Sequence, residues 1–418
     1  MIMTQKTSQI KRKIGLVFFD KKSAWISCSK INAGFLKAYS EIPEAETFSF
    51  YVSADQPNSS TVDQIIASDI NVLVFIDHQV RALEIIRSEK ILDFIDRKSV
   101  RVIFHLYGCY PDRLFEYHHL GVLLKNQDVH LAASSPKQVA LVKGTIKDSN
   151  TLVHLVPFPT EEVELNPKKR ESIRNRLGIS ENMPLFIYTG RISGCKNVEL
   201  AMSWLARMRG KTKNFKFIYI GAFDSYDSIG YNDEFSNPSI MNANLLQKID
   251  PDREWCNYIP YKEYLSDYYT AADGFISFST CRGEDFGMAV LEASSYGLPC
   301  FLTDWGGYSG FSQLPENYFA KVAPVNDDIE ITLSPLDEKF LSFQILSFEA
   351  RTKKQQATFD KFGIKNLTIT LDRIVSGPSS EFSGIKNKPL VTRQLERANN
   401  NYLQFLLKLK DIYEPYWN

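Results

Sequence analysis

The residues best placed for chemistry lie in one loop that runs into a helix, within residues 281–300. An apolar run at 274–278 precedes this loop, and the pattern from Met288 onward is helical. The backbone amides near Phe286, Gly287 and Met288 therefore belong to a helix N-terminus, where the helix dipole favours a bound anion. The sequence predicts a phosphate group at this position.

Two carboxylates border the same helix start, Glu284 in the loop and Glu292 in the second helical turn. A carboxylate offers paired acceptors that suit the vicinal hydroxyls of a ribose or a sugar. A glutamate beside a helix start is, however, more often a dipole partner than a ligand contact. From the residues alone, two interpretations remain: the glutamates bind a sugar, or they only interact with the helix dipole.

A second group of candidate residues follows the apolar run 185–188. Gly190 permits a tight turn there, and Arg191 and Lys196 follow before the next helical segment. An arginine fork and a lysine point charge would together grip a diphosphate and neutralise charge that grows on a leaving phosphate. Loop cations are more often simply solvated, so the interpretation depends on the pairing of this loop with the carboxylate loop.

Two sets of apolar runs must position these loops. The runs alternate with segments of helical length, which is typical of parallel sheets covered on both faces. The first set is 14–19, 70–76, 100–106, 129–133 and 152–157, and the second is 185–188, 215–220, 274–278 and 298–302. The sequence predicts an α/β protein with Rossmann-like domains at 13–158 and 170–376, and a helical segment at 390–418. The charged stretch 159–170, with two prolines, is the predicted linker.

The composition excludes several classes of function. The 418 residues carry 49 Lys and Arg against 49 Asp and Glu, so no broad positive charge suits a nucleic acid. The six cysteines form no C-x-x-C pair, which predicts reduced, mostly buried thiols. No apolar run reaches the ~20 residues of a membrane span. We expect a cytoplasmic protein with a small-molecule site.

The two loops belong to a longer series of short motifs: Gly190-Arg191 with Lys196-Asn197, Glu284-Asp-Phe-Gly287, Glu292-Ala293, Gly297-Leu-Pro299 and Asp304-Trp-Gly-Gly307. In this order and spacing, the series resembles the donor-binding half of the retaining glycosyltransferases of family 4. The resemblance covers residues 183–375. In the first half of the chain it is confined to the topology and to Phe104-His-Leu-Tyr-Gly108.

The resemblance implies the GT-B fold, in which two Rossmann-like domains face a cleft and a C-terminal helix returns to the first domain. It also implies roles for individual residues. Arg191 and Lys196 would bind the diphosphate of a nucleotide sugar, Glu292 the ribose, and Glu284 the transferred sugar. The predicted catalytic residues are Glu284, His105, Arg191 and Lys196, and the predicted donor-binding residues are Gly190, Arg191, Lys196, Tyr258, Ile259, Glu284, Phe286, Gly287, Met288 and Glu292.

Some residues depart from the family pattern. The first loop, predicted at residues 20–34, lacks the usual adjacent glycines and offers only Gly34. Asp285 stands where many relatives have a small residue, and Arg282 belongs to an unfamiliar insertion. Arg282 is either an extra phosphate contact or an ion-pair partner of Asp285. The acceptor side of the site is therefore left open.

The implied reaction is transfer of a hexosyl group from a nucleoside diphosphate sugar, such as a UDP-sugar, to an acceptor hydroxyl with retention of configuration. The acceptor is a glycan, a lipid-linked molecule or a protein. No metal or other cofactor is expected, because the only Asp-x-Asp, at residues 250–252, contains a proline and indicates a turn. A nucleotide-sugar epimerase on the same fold and a non-catalytic scaffold subunit are the alternatives.

The segment 390–418 carries apolar residues at helical spacing beside lysines. The favoured interpretation is a helix that packs back on the first domain. The alternative is peripheral contact with the inner face of the membrane or with a partner.

Overall fold

The structure, a computed structural model, describes residues 12–19, 26–52, 58–76, 82–108, 110–147, 150–212, 214–223, 238–262, 265–325, 328–382 and 414–416. The chain divides into two compact units, each made of separate stretches of sequence. The first unit takes Met1–Ala133, Ile146–Pro159 and Ile364–Asn387, and the second takes Ser134–Thr145, Thr160–Gly363 and Lys388–Asn418.

Each unit contains one sheet. The strands are β1 Arg12–Phe19, β2 Ala45–Val52, β3 Val72–Ile76, β4 Arg101–Leu106, β5 Val129–Ala133, β6 Val153–Leu155, β7 Leu185–Thr189, β8 Lys216–Gly221, β9 Cys256–Pro260, β10 Gly274–Ser277, β11 Cys300–Thr303, β12 Asn317–Val325 and β13 Asp328–Thr332.

The helices connect these strands. They are α1 Ile26–Ser40, α2 Asn58–Ala67, α3 Ala82–Ile86, α4 Glu89–Lys98, α5 Leu114–Leu123, α6 Pro136–Thr145, α7 Pro167–Arg176, α8 Val198–Arg209, α9 Pro238–Ile249, α10 Ser266–Ala271, α11 Met288–Ser295, α12 Ser334–Leu341, α13 Phe348–Phe362 and α14 Ile364–Ser376. Short 3-10 helices lie at Tyr110–Arg113, Gly194–Lys196 and Gly306–Phe311.

The sheet of the first unit is parallel throughout, in the order β2-β1-β3-β4-β5-β6. Every residue of β3, β4 and β5 is buried. Strands of this kind need cover on both faces, which the connecting helices provide. The prediction of a parallel α/β arrangement is confirmed for this unit.

The sheet of the second unit has the order β13-β12-β11-β10-β7-β8-β9, and only β13 runs antiparallel to its neighbour. From β7, the chain builds outward through β8 and β9 on one side, then returns to add β10 and the strands beyond it on the other. The order therefore reverses between β7 and β10. In open α/β sheets, ligands bind at such a reversal, beside the carboxyl ends of the strands.

The first unit is completed by residues from late in the sequence. Helix α14 packs its apolar face on α1, and Thr368 Oγ1 donates a hydrogen bond to the Ala38 carbonyl at 3.1 Å. The predicted second domain, 170–376, includes α14, whereas the structure groups this helix with the first unit. An amphipathic pattern shows that one face is buried but does not identify the element that covers it. The predicted helix at 390–418 lies outside the described residues except for 414–416, and its packing stays a prediction.

The predicted first loop, residues 20–34, is partly helical. Residues 20–25 lie outside the described residues, and α1 already begins at Ile26. Gly34 is therefore a helical residue. A Cβ there would lie 2.4 Å from Pro159 Cγ, so close packing requires glycine at this position.

A buried ion pair anchors the returning segment. Arg101 Nε donates to Asp128 Oδ2 at 2.7 Å, and its other nitrogens donate to the carbonyls of Ile374, Val375 and Gly377. Asp128 Oδ1 accepts from the Ser380 amide at 2.7 Å. This carboxylate thus joins the start of β5 to the chain beyond α14.

We expect Asp128→Asn to lower the free energy of unfolding at pH 7 by about 3 kcal/mol, because it breaks a largely buried ion pair. Burial raises the pKa of the Asp128 carboxyl, but hydrogen bonds from His130, Ser380 and Arg101 outweigh it and lower the pKa to about 2. Since the unfolded carboxyl titrates near 3.8, its stabilisation is present above pH 4 and is lost as the pH falls toward 2.

Urea unfolding at pH 7 and at pH 3 measures both effects. The variant should lose part of the acid sensitivity that the wild type shows. Asp63→Asn is the matched control, because Asp63 forms an exposed pair with Lys90 in the same unit and should contribute below about 1 kcal/mol. Equal losses in the two variants would contradict the anchoring role of Asp128.

Candidate donor site in the second unit

The loop after β7 is held in one shape by close backbone contacts. Gly190 has a φ of 141°, and its amide donates to the Ile220 carbonyl at 3.0 Å. A Cβ on Gly221 would lie 1.7 Å from the Gly190 oxygen, so only glycine fits at that position. Tyr188 Oη donates to the Arg191 carbonyl at 2.5 Å. These contacts place Arg191, half-buried, at the carboxyl end of β7.

The next turn joins the loop after β7 to the loop after β10. Lys196 ends the 3-10 helix Gly194–Lys196, and Asn197 follows in a left-handed conformation with a φ of 52°. The side-chain amide of Asn197 donates through Nδ2 to the Phe278 carbonyl at 2.8 Å and to Thr280 Oγ1 at 3.0 Å. The backbone amide of Thr280 donates to the Cys195 carbonyl at 2.9 Å. The two candidate loops therefore form one connected structure at the β7–β10 reversal.

Lys196 and Glu284 form an ion pair in this structure, with 2.5 Å between Nζ and Oε2. Both side chains are largely buried, 17% and 10% exposed. Burial raises the pKa of the Glu284 carboxyl, but Lys196, a hydrogen bond from Ser279 and the charge of Arg191 outweigh it and lower the pKa overall. Glu284 is thus an ionised acceptor at neutral pH, held beside two cations.

A disulfide joins Cys195 to Cys281, with 4.8 Å between the Cα atoms. The prediction of reduced thiols is therefore wrong for these two residues. The error arises because the cysteines are 86 residues apart in sequence and become neighbours only through the pairing of β7 with β10. Cys28, Cys256 and Cys300 are buried and form no disulfide, as predicted. The disulfide adjoins Lys196 on one loop and lies three positions before Glu284 on the other.

Because the disulfide closes a long loop of chain, we expect Cys195→Ser with Cys281→Ser to lower the free energy of unfolding by about 3 kcal/mol. Thermal or urea unfolding with and without reductant measures this. Reductant should lower the midpoint of the wild type and leave that of the double variant unchanged. A wild-type midpoint that does not respond to reductant would show that the crosslink contributes nothing.

The helix that follows the loop begins where the sequence predicts it. Helix α11 starts at Met288, after Gly287 with a φ of 107°. A Cβ on Gly287 would lie 2.6 Å from the Tyr308 ring, so glycine is required for both conformation and space. The Phe286 side chain is fully buried, so this residue offers a ligand only its backbone. The first amides of α11 have no acceptor within the helix, which makes this end a suitable anion site.

Glu292 lies on α11, half-buried. Its Oε2 accepts a hydrogen bond from Tyr269 Oη at 3.0 Å. Tyr258 and Ile259 lie on β9, which pairs with β8 toward the edge of the sheet. Tyr258 Oη donates to the Gly221 carbonyl at 3.0 Å, and the Tyr258 ring packs on Phe223.

His105, the remaining predicted catalytic residue, belongs to the first unit. It lies on β4 and is only 3% exposed, and its Nε2 forms a hydrogen bond of 2.8 Å with Tyr39 Oη. Burial, with a smaller contribution from His154, lowers the pKa of this imidazole to about 3. His105 is therefore neutral at physiological pH, and its catalytic role stays a prediction.

The structure thus brings together the cations and carboxylates that the sequence singled out in the second unit. Arg191, Lys196, Glu284 and the start of α11 lie beside the β7–β10 reversal, where three hydrogen bonds, the Lys196–Glu284 ion pair and the disulfide join the loops. Sequence reasoning missed two supporting features, Tyr269 and the disulfide. The sequence around a tyrosine does not indicate which group its hydroxyl bonds to, because that depends on how its helix packs against other elements.

A family of known proteins matches the part of the chain that contains both candidate loops. Residues 169–321 match the family model of the glycosyl transferases group 1. No curated protein sequence matches the chain at a significant level.

Solved structures share the fold over most of the chain. HepE of Anabaena, in complex with UDP and glucose, has a TM-score of 0.62 at 12% identity, covering 87% of this chain and 99% of its own. A glycosyltransferase of Rickettsia africae has a TM-score of 0.58 at 13% identity, covering 89% and 100%. The sucrose-phosphate synthase of Thermosynechococcus elongatus has a TM-score of 0.55 at 13% identity, covering 87% of this chain and 98% of its own. The chain has the α/β GT-B fold, and the family match together with this fold supports a glycosyltransferase.

Within the described part of the chain, no helix combines the length and the apolar character that a membrane crossing requires. Among the same residues, no three His, Cys, Asp or Glu side chains gather as metal ligands would.

Proposed function

We propose that this protein is a retaining glycosyltransferase that moves a hexosyl group from a nucleoside diphosphate sugar to an acceptor hydroxyl. One observation carries the proposal: the Lys196–Glu284 pair lies at the reversal of strand order, in the loop that leads into α11, with Arg191 close enough to lower the pKa of the Glu284 carboxyl. Two cations and a helix N-terminus suit a diphosphate, and two carboxylates suit the sugar and ribose hydroxyls.

In the proposed reaction, the acceptor oxygen bonds to the anomeric carbon of the sugar as the bond between the sugar and the diphosphate breaks. Negative charge grows on the leaving phosphate, which takes up the proton of the acceptor hydroxyl. Arg191, Lys196 and the amides of α11 are fixed donors for that charge, each worth ~3 to 4 kcal/mol in comparable sites. The Lys196 ammonium has three protons, so it can bond to Glu284 and to a phosphate oxygen together. The Glu284 carboxylate accepts hydrogen bonds from the transferred sugar. The diphosphate needs no metal ion in this scheme, and turnover in the presence of a chelator tests that point.

The supporting comparisons favour a uracil nucleotide, because the Anabaena structures that share the fold hold UDP, UDP-glucose, or UDP with glucose. We therefore propose a UDP-sugar as the donor. The acceptor is a hydroxyl of a glycan, a lipid-linked molecule or a protein. A cytoplasmic site of action, with or without contact at the membrane surface, is part of the proposal.

Thermal unfolding with a panel of UDP, GDP, ADP, CMP and TDP sugars and their free nucleotides tests the proposal. A ligand that binds only the folded state raises the melting temperature by mass action. We expect a clear shift with one base, followed by transfer of that sugar with the anomeric configuration unchanged in the product. No shift with any nucleotide would contradict donor binding, and an epimerised sugar formed without acceptor would show an epimerase instead.

A further inference from the structure

Tyr269 lies beside the carboxylate that the proposed function assigns to the ribose. Its hydroxyl is 3.0 Å from Glu292 Oε2 and 2.5 Å from Thr189 Oγ1. The Tyr269 side chain is on α10, Thr189 is the last residue of β7, and Glu292 is on α11. One phenol therefore joins three elements at the edge of the candidate donor site.

The chemistry of the groups fixes the direction of these hydrogen bonds. An ionised carboxylate only accepts, so the single hydroxyl proton of Tyr269 is donated to Glu292. Thr189 must then donate its own proton to Tyr269. Burial, together with the charge of Glu292, raises the pKa of the Tyr269 hydroxyl well above its ordinary value, so the proton stays in place at neutral pH. The two hydrogen bonds therefore run in one direction: Thr189 donates to Tyr269, and Tyr269 donates to Glu292.

The phenol is itself held rigidly. Tyr269 is 2% exposed, and its ring stacks on Tyr296 with 5.4 Å between the ring centres. The Tyr269 carbonyl accepts a hydrogen bond of 2.9 Å from the buried Arg351 guanidinium. A glutamate side chain loses rotamer freedom when it is ordered, which opposes binding. Because Tyr269 already orders the Glu292 side chain in the free protein, this entropy is not lost again when a ligand binds.

We propose that Tyr269 is a positioning residue for nucleotide recognition, whose hydroxyl holds the Glu292 carboxylate in the orientation that meets the ribose hydroxyls. This inference rests on the proposed function, because the ribose role of Glu292 is part of it. Tyr269 acts through Glu292 and does not itself contact the nucleotide. Its effect must therefore depend on the ribose hydroxyls of the ligand.

Calorimetry of Tyr269→Phe with UDP and with 2′,3′-dideoxy-UDP tests this dependence. Phenylalanine keeps the stacked ring and removes only the hydroxyl. Because the variant loses the hydrogen bond that orients the charged Glu292 carboxylate, we expect UDP to bind about tenfold more weakly, which corresponds to about 1.4 kcal/mol. Dideoxy-UDP, which has no ribose hydroxyls for Glu292, should bind the variant and the wild type within about twofold. In turnover, the donor KM should rise while kcat changes little.

Tyr219→Phe is the matched control, because it also removes a buried hydroxyl, one that donates to Asn242 Oδ1. It should lower stability similarly and leave the ratio of the two affinities unchanged. Equal weakening of UDP and dideoxy-UDP in Tyr269→Phe, or no change in either, would overturn the positioning role while leaving the proposed function intact. A wild type that binds no nucleoside diphosphate would overturn the proposed function, and this inference with it.

Discussion

Glu284→Gln is expected to reduce turnover about 10³-fold while the affinity for UDP is kept. The glutamine has the shape of the native side chain, so the loop should fold as before. It has no charge, however, so it cannot stabilise a sugar that gains positive character as the diphosphate leaves. Glu284 is well suited to that task, because Lys196 and Arg191 keep it ionised in a largely buried position.

The affinity for UDP separates this role from a general loss of structure. In the wild type, Glu284 already bonds to Lys196, and its negative charge repels an incoming diphosphate. Removal of that charge leaves Lys196 with more capacity for phosphate, so UDP should bind as tightly as before or more tightly. Glu254→Gln, at an exposed position of the same unit, is the control and should behave as wild type. Turnover within twofold of wild type in Glu284→Gln would rule out the proposed role of the Glu284 charge in stabilising the transferred sugar.

The second large effect is expected when both cations of the site are removed. Arg191→Ala with Lys196→Ala should weaken UDP binding at least about 100-fold, because charge-assisted bonds to phosphate are the strongest polar contacts that the site offers. The loss should grow with the charge of the ligand. UDP should be affected most, UMP less and uridine hardly at all, as NMR or calorimetric titration can measure.

Two further variants control for damage to the fold. Loss of Lys196 leaves Glu284 buried without its ion-pair partner, which costs about 3 to 5 kcal/mol. Adding Glu284→Gln to the double variant removes that unpaired charge and should restore stability but not UDP affinity. Arg207→Ala with Lys211→Ala removes an arginine and a lysine that both pair with Asp337 on the same unit, and should leave UDP binding unchanged. Equal losses for uridine and UDP would mean that the pocket had collapsed and that no diphosphate clamp exists.

Much of the fold was predictable because the central strands are buried on both faces. The apolar run 129–133 coincides with β5, and the run 185–188 falls one residue short of β7. The strands that the sequence did not predict have weaker patterns. Strand β2, at the edge of its sheet, is half-buried or exposed at six of its eight positions, and β12, next to the edge strand β13, contains a lysine and a proline. Strands at or next to a sheet edge need no continuous apolar run, so composition alone does not distinguish them from loops.

In the candidate site, the sequence predicts local backbone features but not the partners of individual side chains. Gly190, Gly287 and the start of α11 were predictable because local backbone geometry determines them. The partners of Cys195 and Tyr269 were not, because each lies on an element distant in sequence. The same holds for α14, whose apolar face packs on a helix made near the beginning of the chain. Such contacts between distant residues depend on the order of the strands in the sheet, and that order cannot be predicted from any single segment of the sequence.

The grouping of α14 with the first unit has a consequence for folding during synthesis. Arg12 bonds to Asp372, 360 positions later, and Arg101 bonds to carbonyls 273 to 276 positions later. On the ribosome, the strands of the first unit emerge long before the helix that covers α1 is made. The sheet of the second unit, which lies between residues 185 and 332, is also synthesised before α14. We expect the strands of the first unit, although they are synthesised first, to lack this cover until α14 emerges and to expose apolar surface to chaperones in the interval.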